Sequence, residues 1–207
     1  MSTHARHIAG CFSALPDGWL PAGPAAFLDI ETTGFSPYHA HVTLVGVTWE
    51  EQGVRWLEQY FVDEPEGEAD ALRAAANRLR RFAGLVTYNG HSFDLRFLRV
   101  RGSTLGVRWP SLEHLDLLHV AREWQRNYGL VSDCRLQTVM AHFRLGRTDH
   151  TGGDEMVRAY RRWLRTGDEA HRDLILEHNA QDLLLLPDLI PCLTQSPHDV
   201  RRAGAER

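Results

Sequence analysis

Three runs rich in β-branched and apolar residues lie between Ala26 and Val62, divided by turn signals, and they limit the possible folds more than any other feature. Ala26 to Glu31 is stopped by Thr32-Thr33-Gly34-Phe35-Ser36-Pro37. Val42 to Trp49 is followed by Glu51-Gln52-Gly53, a tight reversal, and then by Val54 to Val62, so these two runs are expected as hairpin neighbours. After them the period changes. Glu66 to Phe82 predicts a helix, with acids in its first turns and Arg78, Arg80 and Arg81 in its last, as the helix dipole favours. Gly84 to Tyr88 predicts a short buried strand and about Ser92 to Arg101 a helix. Leu112 to Leu117 predicts a fifth strand running into helical sequence toward Arg126. From Asp133 the chain reads as helical, with turns at Leu145 to Gly153 and at Thr166-Gly167. Pro187 should bend or end the last helix, which starts near Asp168 and carries Leu183 to Leu186. This order predicts an α/β layered domain, a mixed sheet of about five strands flanked by helices, with a helical C-terminal half.

The sequence of 207 residues suits one ordinary domain, expected over 25–194. Residues 1–24 mix His, Gly and Pro without a sustained period and read as an extension with one short turn; 195–207 read as a fraying tail. A hydrophobic fraction of 43% with 24% charged residues excludes wholesale disorder. No window approaches the roughly 18 apolar residues of a membrane span. Ile8 to Pro16 is broken by Asp17 and lacks a small-residue cleavage site, so no leader is expected. Cys11, Cys134 and Cys192 are far apart and form no CxxC, which argues against a disulfide framework or zinc knuckle and for a reducing, cytoplasmic setting.

Charge is informative by position. The net charge of −4 argues against a strongly basic nucleic-acid coat. Yet residues 1–70 hold only Arg6 and Arg55 as basic groups, so the acids gather early and the arginines late. No lysine occurs, which a GC-rich coding sequence explains more simply than selection for phosphate contacts.

Asp29 and Glu31 stand two apart on the first strand, so their side chains leave one face. They sit at its C-terminal end, where open α/β sheets place their sites. Alone, such a pair reads first as two solvated acids on an exposed edge. Apolar Leu28 and Ile30 alternate with them and helices are expected over the sheet, so the acids' face should be partly buried. Two close, desolvated carboxylates are costly unless a cation neutralises them. Asp94 follows a strand end in Asn89-Gly90-His91-Ser92-Phe93-Asp94; in isolation it would be helix-dipole decoration, but Asn89, His91 and Asp94 form a dense cluster of ligands and donors. His178 and Asp182 are four apart on a helix, ordinarily a surface contact, here on a helix whose Leu183 to Leu186 run implies burial.

Four carboxylates from three elements with one histidine are the inventory of a two-metal phosphodiesterase, whose ions lie about 3.5–4 Å apart. Hard oxygen ligands select Mg²⁺ or Mn²⁺ over zinc. His178 could orient or deprotonate an attacking water.

These segments resemble the motifs of the DEDD superfamily of 3′-to-5′ exonucleases, which have the ribonuclease-H-like fold. Phe27-Leu28-Asp29-Ile30-Glu31-Thr32-Thr33-Gly34 is similar to the first motif, Asn89 to Asp94 to the second, and His178 to Asp182 to the third. Within the superfamily the chain is most similar to the bacterial YprB-like branch, on Leu85 to Leu98, His114-Leu115-Asp116-Leu117-Leu118, Cys134-Arg135-Leu136 to Gly146-Arg147, and His178 to Asp182. The resemblance implies a metal-dependent 3′-to-5′ exonuclease acting on single-stranded DNA or RNA ends. Asp29, Glu31, Asp94 and Asp182 would bind two Mg²⁺ or Mn²⁺ ions, and His178 would activate the water. It places Thr32 and Phe35 on the terminal nucleotide, Phe35 as a wedge against a base. Two departures stand out. His178 has the spacing to Asp182 that the family reserves for tyrosine, and Asp149 to Asp154 keeps a glycine but lacks the proline expected before the next helix.

Asn89, His91 and Arg96 are further substrate-binding candidates, Arg96 with Arg99 by their place beside Asp94. Arg158, Arg161, Arg162 and Arg165 share a helix side that could track phosphates or simply be solvated. Asp116 reads as a helix cap or a partner behind the ligands, and Tyr88 as core with its hydroxyl toward the site. Two other readings stay open: a non-catalytic nucleic-acid-binding module on the same fold, and a nuclease cutting internally at junctions or flaps.

Overall fold

The β-rich runs form the antiparallel half of one mixed sheet. In the computed structural model, which describes residues 1–8, 18–19, 23–146 and 152–195, the strands are β1 (Ser2–Ile8), β2 (Ala25–Thr32), β3 (Val42–Glu51), β4 (Val54–Phe61), β5 (Gly84–Thr87) and β6 (Glu113–Asp116). The helices are α1 (Glu68–Leu79), α2 (Asp94–Thr104), α3 (Leu117–Tyr128), α4 (Leu136–His142), α5 (Gly153–Thr166) and α6 (Glu169–Thr194). Strand order is β1-β4-β3-β2-β5-β6. β1 to β4 pair antiparallel with their neighbours, whereas β2, β5 and β6 run parallel. The β3–β4 reversal turns on Gln52 and Gly53, both at positive φ (55° and 74°), the backbone that a two-residue hairpin requires.

Side chains alternate across β2. Ala26, Leu28 and Ile30 join Leu72, Leu79, Phe97 and Leu98 in the core beneath α1 and α2. Phe27 joins Leu117, Met140, Ala180, Leu183, Leu186 and Ile190 on the opposite face, under α3, α4 and α6. By period two, Asp29 and Glu31 share the face of Phe27, so the second layer decides what surrounds them.

Three expectations are corrected. Six strands, not five, form the sheet among the described residues, because Ser2–Ile8 pairs along β4 from Ser2↔Phe61 to Ile8↔Arg55. This stretch, read as an extension with a short turn, is an edge strand that shows no apolar period, and Thr3, Ala5 and Arg6 are exposed. The third expectation, that Pro187 would bend or end the last helix, is corrected in one respect: Pro187 does not end α6, which runs through Pro187 and Pro191 to Thr194. A helix-interior proline costs ~3 kcal/mol, but burying Leu183, Leu186, Leu189 and Ile190 offsets it at about 1.5–3 kcal/mol each. The tail beyond 195 lies outside the described residues.

Candidate active site

The C-terminal end of β2, the loop after it, the start of α5 and the middle of α6 enclose a cleft of about 190 Å³. Asp29, Glu31, Thr32, Phe35, His178 and Asp182 all line it, together with Phe93, Asp154 and Val157. Period two on β2 and the i, i+4 spacing on α6 therefore bring two pairs, distant in sequence, to one place. A register shift between Glu31 and Thr32 ends regular pairing with β3 at the cleft wall.

His178 is 5% exposed, and its Nε2 lies 3.8 Å from Glu31 Oε1 and 3.9 Å from Asp182 Oδ2. The imidazole is thus set between carboxylates of a strand and a helix. Asp29 is held from behind: Asn179 Nδ2 donates to Asp29 Oδ2 at 2.8 Å, and Gln59 Nε2 donates to Asn179 Oδ1 at 2.9 Å. Asp29, Gly46 and Gln59 are cross-strand neighbours in β2, β3 and β4. Gly46 leaves room for Asn179 to bridge over it; a Cβ there would overlap Asn179 Oδ1.

Asp94 lies behind the cleft wall rather than on it. It is 4% exposed, and its Oδ1 accepts the Ile30 N–H at 3.1 Å. Burial pushes its carboxyl up to about 7, against the backbone hydrogen bonds from Asp94 and Ile30, and the charge of Asp116 adds to the rise.

The remaining predicted residues are placed differently. The Asn89 and His91 N–H groups donate to Asp116 Oδ1 and Oδ2 at 2.7 and 3.0 Å, and Asp116 Oδ1 also accepts from Leu118 N–H at 3.0 Å. Asp116 is therefore both the cap of α3 and the clamp of the turn that delivers Phe93 and Asp94. Asn89 holds a positive φ of 66° in that turn. His91 and Arg96 are exposed, and neither they nor Asn89 line the cleft. The Tyr88 hydroxyl donates to the Cys134 carbonyl at 2.7 Å, which corrects its expected aim at the site. Of the loop Asp149 to Asp154, Asp149 to Thr151 lie outside the described residues, while Gly153 and Asp154 reach the cleft. Asn179, Gln59 and Phe93 are site residues that sequence reasoning passed over. A glycine in the middle of valine-rich β3 was the available signal for the first two.

A larger cleft, about 560 Å³, lies over β1 and α6, lined by Thr3, His4, Arg6, Gln59, Asp173 and Glu177, and contains none of the predicted site residues. The predicted acids and His178 gather instead in the smaller one. Among the described residues, no three or more His, Cys, Asp and Glu side chains are arranged to hold a metal ion as they stand. The donors themselves, carboxylate oxygens flanked by one imidazole, are those a hard divalent cation prefers. Holding one would require the cleft-facing carboxylates to rotate onto it.

The RNase_H_2 profile of the RNase H superfamily matches residues 26–194. The uncharacterized protein YprB of Bacillus subtilis (strain 168) is 28% identical over 169 residues, which is 79% of this chain and 40% of that protein. The chain thus spans about two fifths of that relative's length. Among solved structures, the family B DNA polymerase of the archaeon Pyrobaculum calidifontis superposes with a TM-score of 0.62 at 16% identity, over 94% of this chain and 31% of the polymerase. The apo form of a nuclease superposes with a TM-score of 0.51 at 18% identity, over 82% of this chain and 71% of its own. These likenesses carry the fold, and the profile match over nearly the whole described core carries the kinship: the chain belongs to the RNase H superfamily.

Proposed function

We propose that this protein is a metal-dependent 3′-to-5′ exonuclease that hydrolyses phosphodiester bonds at single-stranded nucleic-acid ends. One observation carries the reading: Asp29, Glu31, His178 and Asp182, from a strand and a helix about 150 residues apart, line a single cleft with buried Asp94 directly behind it. The nuclease and polymerase among the structural neighbours agree with a nucleic-acid substrate.

In this reading Asp29, Glu31, Asp94 and Asp182 hold two Mg²⁺ or Mn²⁺ ions. When bound, such ions lower the pKa of a water and neutralise charge on the leaving oxygen. Asn179 fixes Oδ2 of Asp29, a residue that lines the cleft. His178 takes the proton of the attacking water at Nε2, the atom directed at Glu31 and Asp182. Phe35, 81% exposed at the cleft, stacks on the terminal base, and Thr32 borders the same nucleotide. Asn89, His91 and Arg96 meet the strand behind that nucleotide.

The test is a time course on a 5′-labelled single strand, as DNA and as RNA, with Mn²⁺, with Mg²⁺ and with EDTA, beside a circular strand. The proposal expects a ladder shortening from the 3′ end in a metal, silence in EDTA and an intact circle. A cut circle would make the protein an endonuclease. A second reading, a binding module without chemistry, draws on the absence, among the described residues, of three side chains already arranged around one point. Its signature would be a strand left whole in both metals yet shifted on a gel.

A further inference from the structure

Helix α5 starts at the cleft and leads away from it. Asp154 and Val157 line the cleft. Arg158 stands one turn beyond Asp154 and Arg161 one turn beyond Val157, and Arg162 and Arg165 follow one turn later again. At about 100° per residue the four guanidiniums fall within an arc of about 100°. That arc is opposite Met156, Ala159 and Tyr160, which are buried. All four arginines are exposed. Among the described residues none of them is paired with a carboxylate, whereas Arg78, Arg101 and Arg172 are engaged by Glu58, Glu68 and Asp173.

A chain of net charge −4 with carboxylates at its cleft repels a polyanion. Ions bound in the cleft would relieve that repulsion only around the terminal phosphate. A further electrostatic hold on the strand needs positive groups placed next to the cleft, and α5 supplies four within about 10 Å of helix length. An anionic membrane is the weaker fit, because Leu164 is the one large exposed apolar side chain on the described part of this helix. Resting on the exonuclease reading, we propose that Arg158, Arg161, Arg162 and Arg165 form the track for the phosphodiester backbone of a single strand whose 3′ end lies in the cleft. The substrate is then a strand several nucleotides long, held through its phosphates without regard to sequence.

The experiment compares the wild-type chain with a variant carrying Arg158→Gln, Arg161→Gln, Arg162→Gln and Arg165→Gln, with circular dichroism melting as a folding control. Binding of 5′-fluorescein oligothymidylates, one of about fifteen nucleotides and one of three, is read by fluorescence anisotropy in EDTA across a salt series. The wild-type chain should bind the longer strand more tightly. In the variant that advantage should fall by about tenfold or more at low salt, and the salt slope should drop by about 0.7 for each lost phosphate contact. Arg161→Glu with Arg165→Glu, which removes the same amount of positive charge, should also lower it. An unchanged affinity and slope would overturn the track, as would a wild-type chain with no preference for length. Loss of binding to phosphatidylserine vesicles with the long strand held as before would make the face a membrane contact and overturn it too. Cleavage of the three-nucleotide strand by the wild-type chain in Mn²⁺ reports on the cleft alone, so failure of the track and failure of the exonuclease reading remain distinguishable.

Discussion

Asn179 places its side-chain amide on Asp29, with Nδ2 2.8 Å from Oδ2, while its own carbonyl oxygen is gripped by Gln59. A residue next to His178 in sequence thus reaches over the sheet to orient a carboxylate on β2. Asn179 is completely buried, so its removal leaves Gln59 and Asp29 short of a partner. Asn179→Ala should cost about 1–3 kcal/mol. It should also shrink the rise in melting temperature that Mn²⁺ is expected to give the wild-type chain. Melting curves with and without Mn²⁺ check both, and a variant matching wild type in each would remove Asn179 from the site.

Gly46 makes that bridge possible. In Gly46→Ala the new methyl group meets Asn179 and Leu183, and α6 must lift from β3 or Asn179 must swing away from Asp29. Overpacking of this kind costs about 1–3 kcal/mol, equivalent to a melting temperature lower by roughly 2–12 °C for a domain of this size. A variant as stable as wild type would mean that the strand and helix are less closely apposed.

Acid should weaken the far side of the sheet through Glu68. Burial alone would raise its carboxyl, but Arg101, the Val42 N–H and His41 together hold it below the usual 4.5. A depressed folded value means stability present above the unfolded value and lost as pH falls through the folded one. The stability difference between wild type and Glu68→Gln should therefore shrink steadily below about pH 4.5. Denaturant melts at pH 7, 5, 4 and 3 measure it; a difference that stays constant would contradict the assignment.

His178→Ala should slow turnover far more than it weakens strand binding, because the proposed proton transfer belongs to the transition state; removing such a group costs on the order of 10²–10⁴-fold. Single-turnover rates beside binding in EDTA separate the two. Weakened binding with unchanged turnover would leave His178 as packing between Glu31 and Asp182.

The legible parts of this molecule are those with a period. Alternation on β2 put Asp29 and Glu31 on one face, and the i, i+4 rule did the same for His178 and Asp182. The Gln52-Gly53 turn announced its hairpin through Gly53, which adopts positive φ without a Cβ clash. β1 was illegible because an edge strand with mostly exposed or half-exposed side chains needs no apolar pattern; its partner β4 supplies the order. Pro187 misled because local propensity yields to the burial of four large apolar side chains. Asp116 could be read as a cap, but its clamp on Asn89 and His91 depends on parallel β5–β6 pairing, which only the tertiary fold creates. Asn179 was hidden for the same reason: a polar residue beside a histidine gives no sign of which strand it will face.

The most direct test compares the wild-type protein with Asp94→Asn on a 5′-labelled single strand at fixed Mn²⁺. Asparagine keeps the size of Asp94 and the acceptor for the Ile30 N–H, so the fold should persist, as thermal melting would show. Shortening from the 3′ end by the wild-type chain, with none by Asp94→Asn, is the predicted result. Equal shortening by both proteins would contradict the metal-dependent carboxylate site at the centre of this account.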